Sequence, residues 1–194
     1  LDLSPDGHQP MFSNDNRYVI TYNGEVYNYL EIREELSHKY IFKLETDTEV
    51  VLAAYQEWGE KCLDKFNGMF SFVIYDTKLD EVFAARDRYG FKPFYYYKDE
   101  EKFIYASEIK SILPFIKREP NYKIIYDYLM FNRTDHCEET FFLGVQKMQH
   151  GAFLKIKNND LNFNKWYNLS DKIVEDKFMS PEKYRALFND SIKL

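Results

Sequence analysis

Apolar positions along this chain switch between two periods, and the switch points divide it into elements. Arg17-Tyr18-Val19-Ile20-Thr21-Tyr22 is β-branched and aromatic, as a strand requires. Directly after it Tyr29, Ile32 and Leu36 recur at spacings of three and four, one face of a helix from about Asn28 to His38. Asn28 with Glu31 reads as a capping pair at its start. The stretch from Tyr22 to Asn28 thus falls at the junction, where the strand ends, the helix begins, and Asn23-Gly24 sits between. One reading is a hairpin turn, because Asn-Gly between apolar runs is the strongest short hairpin signal. Against it, no return strand follows. The other reading is chemical: an uncovered glycine N–H beside an amide that can donate is what an oxyanion hole needs.

Further along, Ile41-Phe42-Lys43-Leu44 alternates as a short strand, and Thr46 with Glu49 is a second capping box. Val50, Val51, Ala54 and Trp58 form an apolar stripe that Gly59 stops, and Glu60 to Phe66 is a second helical piece. Asp47, in the first turn, suits the positive end of the helix whatever else it does. From Met69 the period changes to two: Met69–Tyr75, Glu81–Asp87, Pro93–Tyr97 and Lys102–Ala106 are short strands whose brief connections favour antiparallel neighbours. Ser107 then caps a small helix that Pro114 ends, and Asn121 to Phe131 is an amphipathic helix. Phe141–Val145 and Gly151–Ile156 are late strands. After a charged linker, Ser180-Pro181-Glu182 opens a last helix in the favoured order of cap, proline and acid. Pattern alone supports an α+β fold.

Composition narrows the function. The 32 carboxylates outnumber the 26 Lys and Arg, which argues against a nucleic-acid surface. No apolar run approaches the roughly 20 residues of a membrane helix and no signal peptide is visible, which points to a cytoplasmic protein. Seventeen Tyr and seventeen Phe predict an aromatic interior. Cys62 and Cys137 are too few for a disulfide framework, and the four His are too scattered for a metal site. Cys62 lies in an apolar helical stripe and is expected to be buried and inert. Cys137 beside His136 is no nucleophile and base pair, since neighbours in a loop rarely face one another. Arg86-Asp87-Arg88 reads as a structural charge network.

Several motifs then occur in a telling order. Asp2-Leu3-Ser4-Pro5-Asp6-Gly7-His8-Gln9-Pro10-Met11 and Asn23-Gly24-Glu25-Val26-Tyr27-Asn28 are followed by Thr46-Asp47-Thr48-Glu49-Val50 and Phe66-Asn67-Gly68-Met69-Phe70. Arg86-Asp87-Arg88-Tyr89-Gly90-Phe91-Lys92-Pro93 and Ala106-Ser107-Glu108-Ile109-Lys110-Ser111 complete the set. Together they make residues 2 to 113 resemble the glutaminase half of glutamine-hydrolysing asparagine synthetases, a class II glutamine amidotransferase.

That resemblance implies a four-layer α/β/β/α sandwich of the N-terminal-nucleophile hydrolase type, spanning residues 1 to 168. It also implies a linker over 169 to 179 and, over 180 to 194, the first helix of an ATP-dependent synthetase domain. The nucleophile would be a cysteine exposed by removal of the initiator methionine. Asn23 and Gly24 would stabilise the oxyanion, while Leu1, Glu25 and Asp47 would hold glutamine, with Asp47 on its ammonium. The cysteine, and an arginine for the substrate carboxylate, would lie ahead of Leu1, so the sequence reads as truncated at both ends. No metal site is expected within it; ATP and Mg2+ would serve the synthetase domain, with aspartate as acceptor, and a homodimer is compatible. Phe131 to Cys137 departs from the Pro-bearing loop of the family. This leaves room for an amidotransferase acting on another carboxylate, for instance in surface-polysaccharide synthesis, or for a catalytically silent interaction module.

Overall fold

The computed structural model describes residues 7–173 and 180–193. Leu1, the motif up to Asp6 and most of the expected linker lie outside the described residues.

Two antiparallel sheets stack face to face. The larger joins β1 (Met11–Phe12), β2 (Tyr18–Val26), β3 (Gly68–Asp76), β4 (Glu81–Arg86), β8 (Ala152–Lys157) and β9 (Asp160–Lys165) in that spatial order. The smaller has β5 (Tyr95–Lys98) between β6 (Phe103–Ala106) and β7 (Val145–Lys147). Alternation assigns the faces. Ile20, Tyr22, Phe70, Phe72, Ile74, Phe83 and Phe153 pack on the helical side, while Val73, Ala84 and Leu154 from intervening positions meet Tyr96 of the smaller sheet and Phe94 and Met148, which flank its strands.

The helical side is covered by α1 (Tyr29–Leu36) and α2 (Asp47–Trp58), whose Ile32, Leu36, Val50, Val51 and Ala54 are buried there. A 3-10 turn at Gly59–Lys61 and the single turn α3 (Cys62–Lys65) lead into β3. On the smaller sheet, α4 (Ile109–Ile112) packs against β5 and β6, and α5 (Tyr122–Phe131) follows. The expected α/β/β/α order is therefore present. Its interior is aromatic as predicted: Phe66, Phe70, Phe72 and Phe83 are fully buried, each contributing about 1.5 to 3 kcal/mol.

The structure corrects several local expectations. β2 does not end before Asn23; it runs on to Val26, with Asn23 opposite Ser71 and Gly24 opposite Phe70. Asn28 makes no side-chain cap for α1. Its amide instead clamps the approach to β3, donating to the Lys65 carbonyl at 2.9 Å and accepting from the Asn67 N–H at 2.8 Å. Thr46 does cap α2 through Glu49 N–H, but the Glu49 carboxylate turns to the N–H groups of Lys43 and Leu44. Those bonds hold Ile41 to Leu44 as irregular backbone rather than strand. Ser107 caps nothing, since α4 begins from Glu108 without a side-chain bond. Only Val145 of the Phe141–Val145 run enters a strand. The last helix, α6 (Pro181–Lys193), forms as expected and none of its residues is buried.

Candidate active site

A cleft of about 510 Å3 opens where β2 passes the start of α2. Its walls are Tyr22 to Tyr27 from β2 and its end, Glu45 to Thr48, and Gly7, Gln9, Tyr29 and Lys92. Asn23, Gly24, Glu25 and Asp47 are all among them, although 20 or more residues of sequence separate the first three from Asp47.

Strand geometry decides what Gly24 offers. Alternate N–H groups of a strand point to the same side. Those of Tyr22 and Val26 point away from β3, because they donate to Gln9 Oε1 at 2.6 Å and to Asp47 Oδ2 at 2.9 Å. Gly24 has the same parity, and Phe70 opposite it is engaged elsewhere: its N–H donates to Asp87 Oδ2 at 3.3 Å and its carbonyl accepts from Asp87 N–H at 2.8 Å. The Gly24 N–H therefore faces the open edge of β2, between two occupied donors. No hydrogen bond takes it among the described residues. Glycine is required here by a close approach, since a Cβ would stand 2.4 Å from the Met69 carbonyl oxygen and 2.7 Å from Phe70 Cα.

Asp47 is more than a first-turn acid. Its Oδ2 accepts from the Tyr22 phenol at 2.6 Å as well as from Val26 N–H. Burial, then the nearby Asp47 charge, push the Tyr22 phenol far above its ordinary pKa, so it remains a donor. Asn23 lies on the opposite face of β2 from Tyr22, and its Nδ2 donates to Ser107 Oγ at 2.9 Å. Glu25 is exposed at the cleft wall.

The Arg86 to Pro93 segment brings a residue that sequence reading left out. Asp87 accepts from the N–H groups of Tyr89, Phe91 and Lys92, each at 3.0 Å, and Arg86 donates to the carbonyls of Lys92, Gly90 and Met148. Arg88 reaches the Phe66 carbonyl and stacks on Trp166. This is the structural network expected. Its further effect is to fix Lys92, from both sides of its backbone, in the wall of an otherwise acidic cleft.

Neither cysteine belongs to the cleft. Cys62 is fully buried and its thiol is pushed well up by that burial. Cys137 sits in the loop after α5, where His136 pairs with Asp127 at 3.0 Å and Asp135 with Lys147. Among the described residues no three His, Cys, Asp or Glu could hold a metal ion. Nor, among the described residues, is any helix long and apolar enough to cross a membrane.

The glutamine amidotransferase domain family matches residues 1–167. The chain belongs to that family. Asparagine synthetase [glutamine-hydrolyzing] 3 of Bacillus subtilis is 35% identical over 193 residues, which are 96% of this chain and 31% of that protein. Its paralogue 2 is 34% identical over 207 residues, covering 99% of this chain and 27% of that protein. The chain thus spans about a third of the length of these relatives. The fold is that of the glutamine phosphoribosylpyrophosphate amidotransferase from B. subtilis, solved with ADP and GMP. The TM-score is 0.56 at 18% identity, over 82% of this chain and 32% of that one. The chain is thus a glutamine amidotransferase domain that is similar to one part of these asparagine synthetases.

Proposed function

We propose that the cleft hydrolyses the side-chain amide of glutamine, with the Gly24 N–H and the Asn23 amide as oxyanion donors. The open Gly24 N–H on the free edge of β2 carries this reading. On this reading the nucleophile is a cysteine at a processed N-terminus ahead of Leu1. Its α-amino group, with an ordinary pKa of about 7.7 to 8.0, takes the thiol proton. The sulfur adds to the amide carbon, and the tetrahedral oxyanion collapses as the amine returns the proton to departing ammonia. Water then cleaves the thioester to glutamate. Each oxyanion donor typically contributes about a hundredfold to a thousandfold in rate.

Asp47 and Glu25 bind the substrate, Asp47 through its ammonium, and Leu1 supplies a backbone contact. Ammonia is passed to an ATP-dependent, Mg2+-requiring synthetase region that follows the linker at 169 to 179 and opens with α6. That region converts aspartate to asparagine in a cytoplasmic protein. The similarity to asparagine synthetases along 96% of the chain supports this acceptor.

The test is glutamate and ammonia release from glutamine by a chain carrying the cysteine ahead of Leu1, with a Cys→Ala version alongside. Hydrolysis lost in the alanine form supports the proposal. Equal hydrolysis in both, abolished instead by Cys137→Ser, would overturn it.

A further inference from the structure

Thr21 and Asn23, two positions apart on the same face of β2, each reach across to the smaller sheet. Thr21 Oγ1 and the Tyr105 hydroxyl are 2.8 Å apart, and Asn23 Nδ2 donates to Ser107 Oγ at 2.9 Å. These two rungs border a cavity of about 140 Å3 between the sheets, which shares Gln9, Tyr22 and Asn23 with the glutamine cleft. Asn23 therefore stands in the wall between the two spaces, held from behind by Ser107. The Ser107 hydroxyl is not spent on its own helix, because α4 has no side-chain cap.

From this geometry we propose that Ser107 is a positioning residue, fixing the Asn23 amide so that a nitrogen-bound hydrogen faces the developing oxyanion. Ser107 has this role only if Asn23 donates to the oxyanion, the reading proposed above. A primary amide has two N–H hydrogens on one end and a carbonyl oxygen on the other. Half a turn about its last bond would aim the oxygen at the oxyanion and replace attraction by repulsion. Ser107 accepts one hydrogen of the nitrogen end and leaves the second for the reaction; because its hydroxyl can bond either end of the amide, what it fixes is the place and plane of the group, and the oxyanion itself selects the nitrogen end. Thr21 and Tyr105 hold the sheets together one rung away without touching the amide, so they separate positioning from simple sheet docking.

Four variants in a chain carrying the N-terminal cysteine test this: Ser107→Ala, Ser107→Cys, Thr21→Val and Asn23→Ala. Ser107→Ala should lower kcat for glutamine about tenfold while KM changes less than about twofold, since misplaced catalytic groups act on the chemical step. Ser107→Cys keeps the volume but offers a weak acceptor, so it should show the same kcat loss with an unchanged Tm. Thr21→Val should lower Tm and leave kcat near wild type. Asn23→Ala should fall by at least about a hundredfold. If Asn23→Ala collapses while both Ser107 variants keep wild-type kcat, the positioning role is overturned and the oxyanion reading survives. Wild-type kcat in Asn23→Ala would overturn both. Parallel losses of kcat and Tm in the Ser107 variants and Thr21→Val would make Ser107 a sheet-docking residue only.

Discussion

Tyr22 and Asp47 are joined by a 2.6 Å hydrogen bond from phenol to carboxylate, which ties the strand wall of the cleft to the first residue of α2. The same Oδ2 accepts from Val26 N–H, and among the described residues Oδ1 accepts nothing. Asp47 thus commits one oxygen to the fold, and on the proposed reading the other meets the substrate ammonium. Asp47→Asn should raise the glutamine KM about ten to a hundredfold, the equivalent of a charge-assisted contact of about 1.5 to 3 kcal/mol. It should also lower Tm, because a neutral amide is a weaker acceptor for Tyr22 and Val26. Steady-state kinetics and thermal unfolding separate the two, and an unchanged KM with a lowered Tm would leave Asp47 a purely structural tether.

Gly24 is confined by β3, so its substitution should affect stability before chemistry. A Cβ 2.4 Å from the Met69 carbonyl meets backbone, not a side chain that can swing away. Gly24→Ala should therefore separate β2 from β3 locally and cost about 1 to 3 kcal/mol, the usual range for overpacking. Glutaminase activity should fall with it, because the displaced strand carries the N–H donor. Urea unfolding checks the first effect. A variant as stable as wild type would show that the strands part at no cost.

Much of this fold was legible because long periodic segments declare themselves. The Val50, Val51 and Ala54 stripe and the β3 and β4 runs are as read, and burial of each set follows its period. Asn23-Gly24 misled because both residues have poor strand propensity, yet pairing along nine residues with β3 overrides that preference. Ile41 to Leu44 misled in the opposite sense, alternating without a strand to pair with. The contacts that build the site were invisible for a different reason: Gln9 to Tyr22, Asn23 to Ser107 and the seat of Lys92 are set by tertiary packing. The Asn23 to Ser107 bond, for example, spans 84 residues, and no local pattern encodes it.

Outside the cleft, Asp76 fixes the far end of β3 and predicts acid sensitivity. It is buried and accepts from Arg17 Nη2 at 2.7 Å, and from Lys78 and Leu79 N–H at 3.0 and 3.2 Å. The Arg17 guanidinium, with those N–H groups, holds the carboxyl below its ordinary 3.8 despite burial. A depressed folded-state pKa gives stability that is present above the unfolded value and lost as pH falls through the folded one. Asp76→Asn should therefore cost about 1.5 to 3 kcal/mol at neutral pH. Its deficit should shrink from about pH 4 downward as wild-type Asp76 is protonated. Denaturant unfolding at neutral pH and near pH 3 measures this, and a deficit independent of pH would exclude the charge as its source.

Asn23→Asp distinguishes chemistry from architecture most sharply at the position the sequence left ambiguous. A turn is no longer available as an explanation, since Asn23 lies within β2 opposite Ser71. What remains is a choice between an amide that only bridges to Ser107 and one that also donates to the oxyanion. Aspartate can keep the bridge, because the Ser107 hydroxyl can donate to a carboxylate, so the sheets stay docked and Tm should remain near wild type. An ionised carboxylate cannot donate, however, and it places negative charge where negative charge develops in the transition state. In a chain bearing the N-terminal cysteine, kcat for glutamine should fall by at least about a hundredfold. Glutamine KM should change little, because Asp47 and Glu25, not Asn23, are assigned to the ground-state substrate. Wild-type kcat in this variant would reduce Asn23 to a strut between the two sheets.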